Sequence, residues 1–307
     1  MPKLIIPGGS GFLGLQLARH FGAKGWMVYI LSRQEKESEG NIQFLRWDGK
    51  TLGAWAKEID GADAIVNMAG RTVNCRYNET NKKQILDSRI DSTRILGKAI
   101  KKATNKPKIW INSSSATIYQ DTRGALPANN EYDGQIGTDF SMNICKAWEK
   151  EFNAAPSDTV RKIALRSAIV IGKESGGAME YLINLSKLWL GGTQGDGQQF
   201  ISWVHLKDFG RVVEFLIEQE HISGVINCAA PNPVTNQIFM IELRKAVGRS
   251  WGLPIPKFLL AFGAVFLRTQ TELVLKSRKV VSKRLEEEGF QFEYATVETA
   301  FKAICSK

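Results

Sequence analysis

The glycines near the amino terminus are spaced to hold phosphate. The run Lys3-Leu-Ile-Ile-Pro-Gly8-Gly9-Ser10-Gly11-Phe-Leu-Gly14 takes a short apolar stretch into a glycine-rich turn and then into the helical pattern Leu13–Lys24. The spacing reads as G-x-G-x-x-G from Gly9 or as G-x-x-G-x-x-G from Gly8. One glycine lets the chain turn sharply, one lets backbone N–H groups approach a pyrophosphate, and Gly14 lets the helix pack closely on the strand. Phosphates would then sit at a helix N-terminus, where unpaired N–H groups and the helix dipole favour anions. Gly8, Gly9, Gly11, Phe12, Leu13 and Gly14 are the candidate phosphate contacts.

A second strand, Met27–Leu31, follows at the distance expected of a dinucleotide fold, and it ends in Ser32-Arg33. An NAD site places an Asp or Glu there for the ribose 2′-OH. Arg33 either pairs with a 2′-phosphate, selecting NADP over NAD, or simply opens the solvated loop Gln34–Asn41. After a third short strand, Asp48 is placed to meet the adenine edge.

Positioning such residues requires alternating strands and helices. The pattern predicts strands at 3–7, 27–31, 42–46, 63–67, 107–112 and 161–167, with helices at 12–24, 51–58, 80–104 and 139–154. This is an α/β, Rossmann-type doubly wound parallel sheet. Beyond residue 168 the pattern changes to helices at 177–190, 206–220, 235–247 and 256–267 with strands near 199–204 and 224–228. That predicts a nucleotide-binding domain over 1–167 and a smaller carboxyl-terminal α+β substrate lobe over 168–307, with an interleaved boundary allowed. The polar stretch Tyr119–Thr138 is a long loop after a strand's carboxyl end, where open α/β sheets bind ligands. The segment Gly191–Gly197 lacks a Lys-Ser/Thr ending and reads as a turn or lid.

Composition sets further bounds. The 307 residues carry a net charge of +10. The basic clusters Lys98–Lys108 and Lys276–Arg284 have no interleaved aromatics, so a solvated face and an anionic ligand are expected rather than nucleic acid. The four cysteines, Cys75, Cys145, Cys228 and Cys305, form no C-x-x-C pair. That argues against metal sites and a disulfide scaffold, and suits a reducing, cytoplasmic setting. The apolar stretch Leu253–Leu267 is short and interrupted, hence a packed helix and not a membrane span.

Four stretches together carry a resemblance. These are Gly8–Gly14, Asn67-Met-Ala-Gly70, the run Ser113-Ser114-Ser115-Ala-Thr-Ile-Tyr119, and Leu165-Arg-Ser-Ala-Ile-Val-Ile-Gly172. They are similar to the extended short-chain dehydrogenase/reductase superfamily. Asn67–Val73, Leu86–Arg89, Ala147–Glu149, Gln198–Asp208 and Lys283–Phe290 narrow it to an epimerase-like subgroup, its members labelled nucleoside-diphosphate-sugar epimerases, with a carboxyl-terminal domain of unknown function. The resemblance runs from residue 3 to residue 304. It implies NADP as cofactor, a small-molecule substrate and hydride transfer at C4 of nicotinamide. It also implies Ala69 and Gly70 along the cofactor's middle, Lys146 at the nicotinamide ribose, and Ser115 or Ser114 holding the substrate oxygen. Superfamily members often form homodimers through helices like Asn81–Ala103 and Phe140–Ala154.

One position departs from the superfamily. Its reductases and epimerases use Tyr-x-x-x-Lys, the Tyr as general acid/base and the Lys lowering its pKa. Here Lys146 is preceded four residues earlier by Met142, and no Tyr of the chain is followed four later by Lys. A thioether cannot transfer a proton. Tyr119, Ser141 or Lys146 itself supplies it, or the substrate needs no strong acid, or the chain binds NADP(H) without turnover as a sensor. Arg89 stands where many extended members carry an Asn beneath the active site. His205 reads as a buried hydrogen-bonded histidine or a helix-entry residue ahead of a substrate contact, and Cys145 as packing.

Overall fold

The computed structural model describes residues 1–156, 159–174, 178–260 and 275–306. Seven parallel strands form the central sheet: β1 (Lys3–Pro7), β2 (Met27–Ser32), β3 (Ile42–Arg46), β4 (Ala64–Asn67), β5 (Ile109–Ser115), β6 (Arg161–Ser167) and β10 (Gly224–Cys228). Their order is β10-β6-β5-β4-β1-β2-β3. The chain winds outward from β1 through β2 to β3, then returns to β4 on β1's other side. The carboxyl ends of β1 and β4 therefore flank the crevice where doubly wound sheets bind ligands.

Each helix shows the face its sequence predicts. α1 (Phe12–Ala23) buries Gly14, Leu17, Ala18 and Phe21, and α5 (Leu206–Glu218) buries Phe209, Val212, Val213 and Leu216 on the same side of the sheet. α2 (Glu79–Lys102) and α3 (Phe140–Ala154) cover the other side through Ile95, Leu96, Ala99, Ile100 and Phe152. Polar side chains fix the helix starts: Asn78 caps α2 by accepting the Asn81 N–H, and Asp139 caps α3 by accepting from Met142.

Residues 206–228 return to the sheet layers, so the two halves of the chain interleave. The remaining lobe packs α4 (Ala178–Lys187), α6 (Asn236–Ala246) and helix Val297–Cys305 around Met179, Trp203, Phe239, Met240 and Phe301. The expected strand at 199–204 divides into β8 (Phe200–Ile201) and β9 (Trp203–His205). β8 pairs antiparallel with β11 (Val234–Thr235), and β9 pairs parallel with β7 (Ile169–Ile171). The helix expected at 51–58 is a 3-10 turn over Ala54–Ile59. Of the helix expected at 256–267, residues 261–267 lie outside the described residues. Among the described residues no helix is long and apolar enough to cross a membrane, and no cluster of three metal-ligating side chains occurs.

His205 is the N-cap of α5: its Nδ1 accepts the Lys207 N–H at 3.2 Å, and its ring lies 3.8 Å from that of Tyr294. Burial holds the imidazole below its ordinary value of 6.5. The folded state thus resists a proton that the unfolded chain accepts, so His205 lowers stability as pH falls through that value. His205→Asn keeps the cap and removes the titration. Urea unfolding at pH 7.5 and 5.5 is expected to show a smaller acid-induced loss in the variant than in the native chain.

Candidate functional site

The crevice is built around backbone. Gly8 leaves β1 at φ +73°, and its N–H donates to the Leu31 carbonyl at 2.9 Å. A Cβ on Gly8 would stand 2.5 Å from the Ala69 Cα, and one on Gly14 would stand 2.3 Å from the Gly9 Cα. These contacts hold β1, β4 and the start of α1 in one tight corner. Gly11 differs. It is the N-cap of α1, no side chain caps that end, and a Cβ there would meet nothing within 4 Å. Phe12 and Leu13 begin the helix, whose N–H groups face this opening with no acidic residue in the first turn. The corner is a cradle shaped for a phosphate group, so the residues fit the phosphates of a dinucleotide.

Beside it lies a cavity of about 390 Å³ lined by Arg33, Arg46, Trp47, Asp48 and Trp55. Arg46 pairs with Glu35 at 2.8 Å. Arg33 has no ion-pair or hydrogen-bond partner among the described residues. Asp48 accepts from the Lys50 and Thr51 N–H groups and from the Thr51 hydroxyl, and these bonds hold its carboxyl at about 2. Its oxygens secure the turn that leads into the 3-10 segment, while the residue still lines the cavity. Lys36 extends over the phosphate loop, its Nζ 3.4 Å from the Ser10 carbonyl. Sequence spacing could not single Lys36 out, because only the fold of the 33–41 loop brings it there.

Deeper in, Asn67 at the end of β4 donates to Asn112 at 2.7 Å and accepts the Ala69 N–H, which fixes the Ala69–Gly70 turn. Beneath that turn sits Arg89. A Cβ on Gly70 would lie 3.0 Å from its Cζ. Its Nη1 donates to the Arg71 and Ile85 carbonyls, and its guanidinium stacks 5.0 Å from the Trp148 ring. Desolvation lowers its pKa.

The two serines take different roles. Ser114 is buried and donates to Glu149 at 2.7 Å. Ser115 is half-buried, donates to the Thr117 hydroxyl and accepts the Thr117 N–H. Glu149 in turn holds Arg166 through two bonds of 2.8 Å, and Arg166 donates to the Tyr119 hydroxyl at 2.9 Å. Tyr119, fully buried, donates to Asn227 at 3.0 Å, and burial pushes its pKa up. This network ties the carboxyl ends of β5, β6 and β10 to α3.

On α3, Lys146 is half-buried and makes no hydrogen bond or ion pair among the described residues. Met142, one turn earlier, is 4% exposed, and its sulfur fills the space where a Cβ on Gly137 would go. The long loop therefore closes over the Met142 side chain. That loop is strapped by the carboxyl-terminal segment. Asn129 exchanges backbone bonds with Lys279 and Val281, Asp139 pairs with Lys276, and Glu131 accepts from the Asn227 and Lys283 N–H groups. The bonds from this loop to residues 276–283 join positions more than 130 apart, and no local pattern announces them. Cys145, packed beside Arg89, is pushed up to about 12 by burial and is neutral.

The sequence profile of the NAD dependent epimerase/dehydratase family matches residues 4–229, and that of a domain of unknown function, DUF1731, matches residues 255–304. The epimerase family protein SDR39U1 of Homo sapiens is 33% identical over 306 residues, covering 98% of this chain and 99% of that protein. The epimerase family protein YfhF of Bacillus subtilis is 32% identical over 305 residues, covering 98% and 97%. The crystal structure of the human SDR39U1 protein (isoform 2) with NADPH superposes with a TM-score of 0.85 at 31% identity, covering 99% of both chains.

Proposed function

The chain belongs to the NAD dependent epimerase/dehydratase family, and from that premise we propose that it is an NADP(H)-dependent oxidoreductase acting on a small carbonyl substrate. The observation that carries this reading is the pairing of the open Gly11 helix start with Arg33 at the end of β2, which has no partner among the described residues. The first suits a pyrophosphate and the second a 2′-phosphate. The NADPH in the human relative supports the same cofactor. When bound, the nicotinamide supplies or accepts a hydride at C4.

The chain's own residues do the rest. Gly8–Gly14 hold the phosphates, Arg33 holds the 2′-phosphate, and Ala69 and Gly70 line the cofactor's middle. Lys146, with three donors and no partner among the described residues, binds the nicotinamide ribose. Ser115, half-buried, orients the substrate oxygen by turning its hydroxyl from Thr117 to the substrate. In reduction the substrate carbon takes a hydride and its oxygen takes a proton, so one proton is drawn from solvent per turnover. Lys146 is the available donor, because the Tyr119 hydroxyl is buried and committed to Asn227.

A second reading, an NADP(H)-binding sensor without turnover, is favoured by Met142 under Gly137. One experiment separates the two: titrate NADPH and NADH by tryptophan quenching, then follow NADPH oxidation across a panel of carbonyls and quinones. Turnover of any member supports the oxidoreductase, tight binding without turnover supports the sensor, and failure to bind either dinucleotide removes both. For cofactor choice, Arg33→Ala is expected to weaken NADPH by about tenfold to a hundredfold, the scale of a charge-assisted phosphate contact, and to leave NADH nearly unchanged. Equal losses would refute the 2′-phosphate assignment.

A further inference from the structure

The charges along α3 and the Gly70 turn do not balance. Glu149 is neutralised by Arg166, and Asp139 by Lys276. Against these pairs stand two cations, Arg89 and Lys146, with no carboxylate at ion-pair distance among the described residues. The Cys145 thiol beside Arg89 is neutral and offsets nothing. Met142 occupies the position from which a tyrosinate would supply a negative charge.

We propose that this site is charged to hold the reduced cofactor, binding NADPH much more tightly than NADP+, with Arg89 as the residue that sets the preference. The inference rests on the reading that NADP(H) binds along Gly8–Gly14 with its nicotinamide half toward Gly70 and Lys146. The oxidised nicotinamide ring carries a positive charge and the reduced ring carries none, while the phosphates and adenine are the same in both. A local positive field therefore discriminates between the oxidation states. Arg89 is suited to generate it: a guanidinium stays protonated even when desolvated, and a site buried from solvent is screened little by salt. Two unit charges about 10 Å apart at an effective dielectric of about 20 repel strongly enough to change affinity more than about tenfold.

The functional consequence concerns loading. A site with this preference is occupied by NADPH wherever both forms are present, so the chain stands ready to reduce a carbonyl or to report NADPH. By linkage the same preference raises the potential of the bound couple, so any NADP+ that does bind is the stronger oxidant.

The test is a tryptophan-fluorescence titration of the whole chain with NADPH and with NADP+, in the native protein and in Arg89→Met, Arg89→Lys and Arg33→Ala. The native chain is expected to bind NADPH at least about tenfold more tightly than NADP+. Arg89→Met narrows that ratio chiefly by improving NADP+, Arg89→Lys keeps it, and Arg33→Ala weakens both forms alike. Equal native affinities would overturn the proposal, as would an Arg89→Met variant that weakens both forms equally, which would make Arg89 a support for the turn alone. The native ratio stands as a test even if Arg89→Met fails to fold. Binding of neither form would instead sink the NADP(H) reading.

Discussion

Gly11→Asp is expected to abolish dinucleotide binding while leaving the fold at least as stable as the native chain. Gly11 sits at φ −83° and ψ 176°, extended backbone that any residue adopts, and its carbonyl accepts the first helical bond from Leu15 at 3.0 Å. A side chain there meets no protein atom within 4 Å. Asp is a good N-cap, so α1 gains about a few tenths of a kcal/mol over glycine. The same carboxylate takes the N–H groups a phosphate would use and repels the pyrophosphate at short range. A loss of at least about a hundredfold in NADPH affinity follows from removing charge-assisted bonds and adding a like charge. Parallel thermal melts and fluorescence titrations check it. Native-like NADPH binding by this variant would take the glycine turn out of the site. Substitution at Gly14 would be less informative, because a Cβ 2.3 Å from the Gly9 backbone disturbs the corner itself.

The largest effect on stability is expected at Arg166. Its guanidinium grips Glu149 through two bonds of 2.8 Å, and both side chains are only 10% exposed. Arg166→Met leaves the Glu149 carboxylate buried without a countercharge and leaves the Tyr119 hydroxyl without its donor. Breaking one side of such a pair costs about 3–5 kcal/mol, whereas replacing both sides with apolar groups is often close to neutral. Urea denaturation should therefore show a large drop for Arg166→Met and substantial recovery in Arg166→Met/Glu149→Leu. A double variant as unstable as the single one would show that the cost lies in lost packing and not in the orphaned charge. Because Glu149 lies on α3 three residues past Lys146, the single variant should also loosen cofactor binding.

These outcomes depend on features that differ in how openly the sequence displays them. The sheet and its main helices are local: apolar runs of five or six residues form the strands, and faces such as Gly14, Leu17, Ala18 and Phe21 repeat at helical spacing. The glycine corner is legible for the same reason, since a βα turn is made from neighbours in the chain. The replacement at Met142 was equally plain, because the helix frame fixes its distance from Lys146. β7 and β11, only two or three residues long, carried no pattern strong enough to read. The helix expected at 51–58 became a 3-10 turn because the Asp48 carboxylate captures the Lys50 and Thr51 N–H groups just before it.

The amino-acid sequence by itself determined the fold class, the glycine corner, the cationic end of β2 and the absence of a Tyr-x-x-x-Lys pair. Each of these depends on residue types at short, fixed separations. Only the tertiary structure decided which serine is accessible, that Tyr119 is locked behind Arg166 and Asn227, and that segment 275–282 straps the long loop over Met142. It alone showed that Arg89 and Lys146 have no carboxylate at ion-pair distance among the described residues. Whether a charge is paired or a hydroxyl is buried depends on groups brought together from distant parts of the chain.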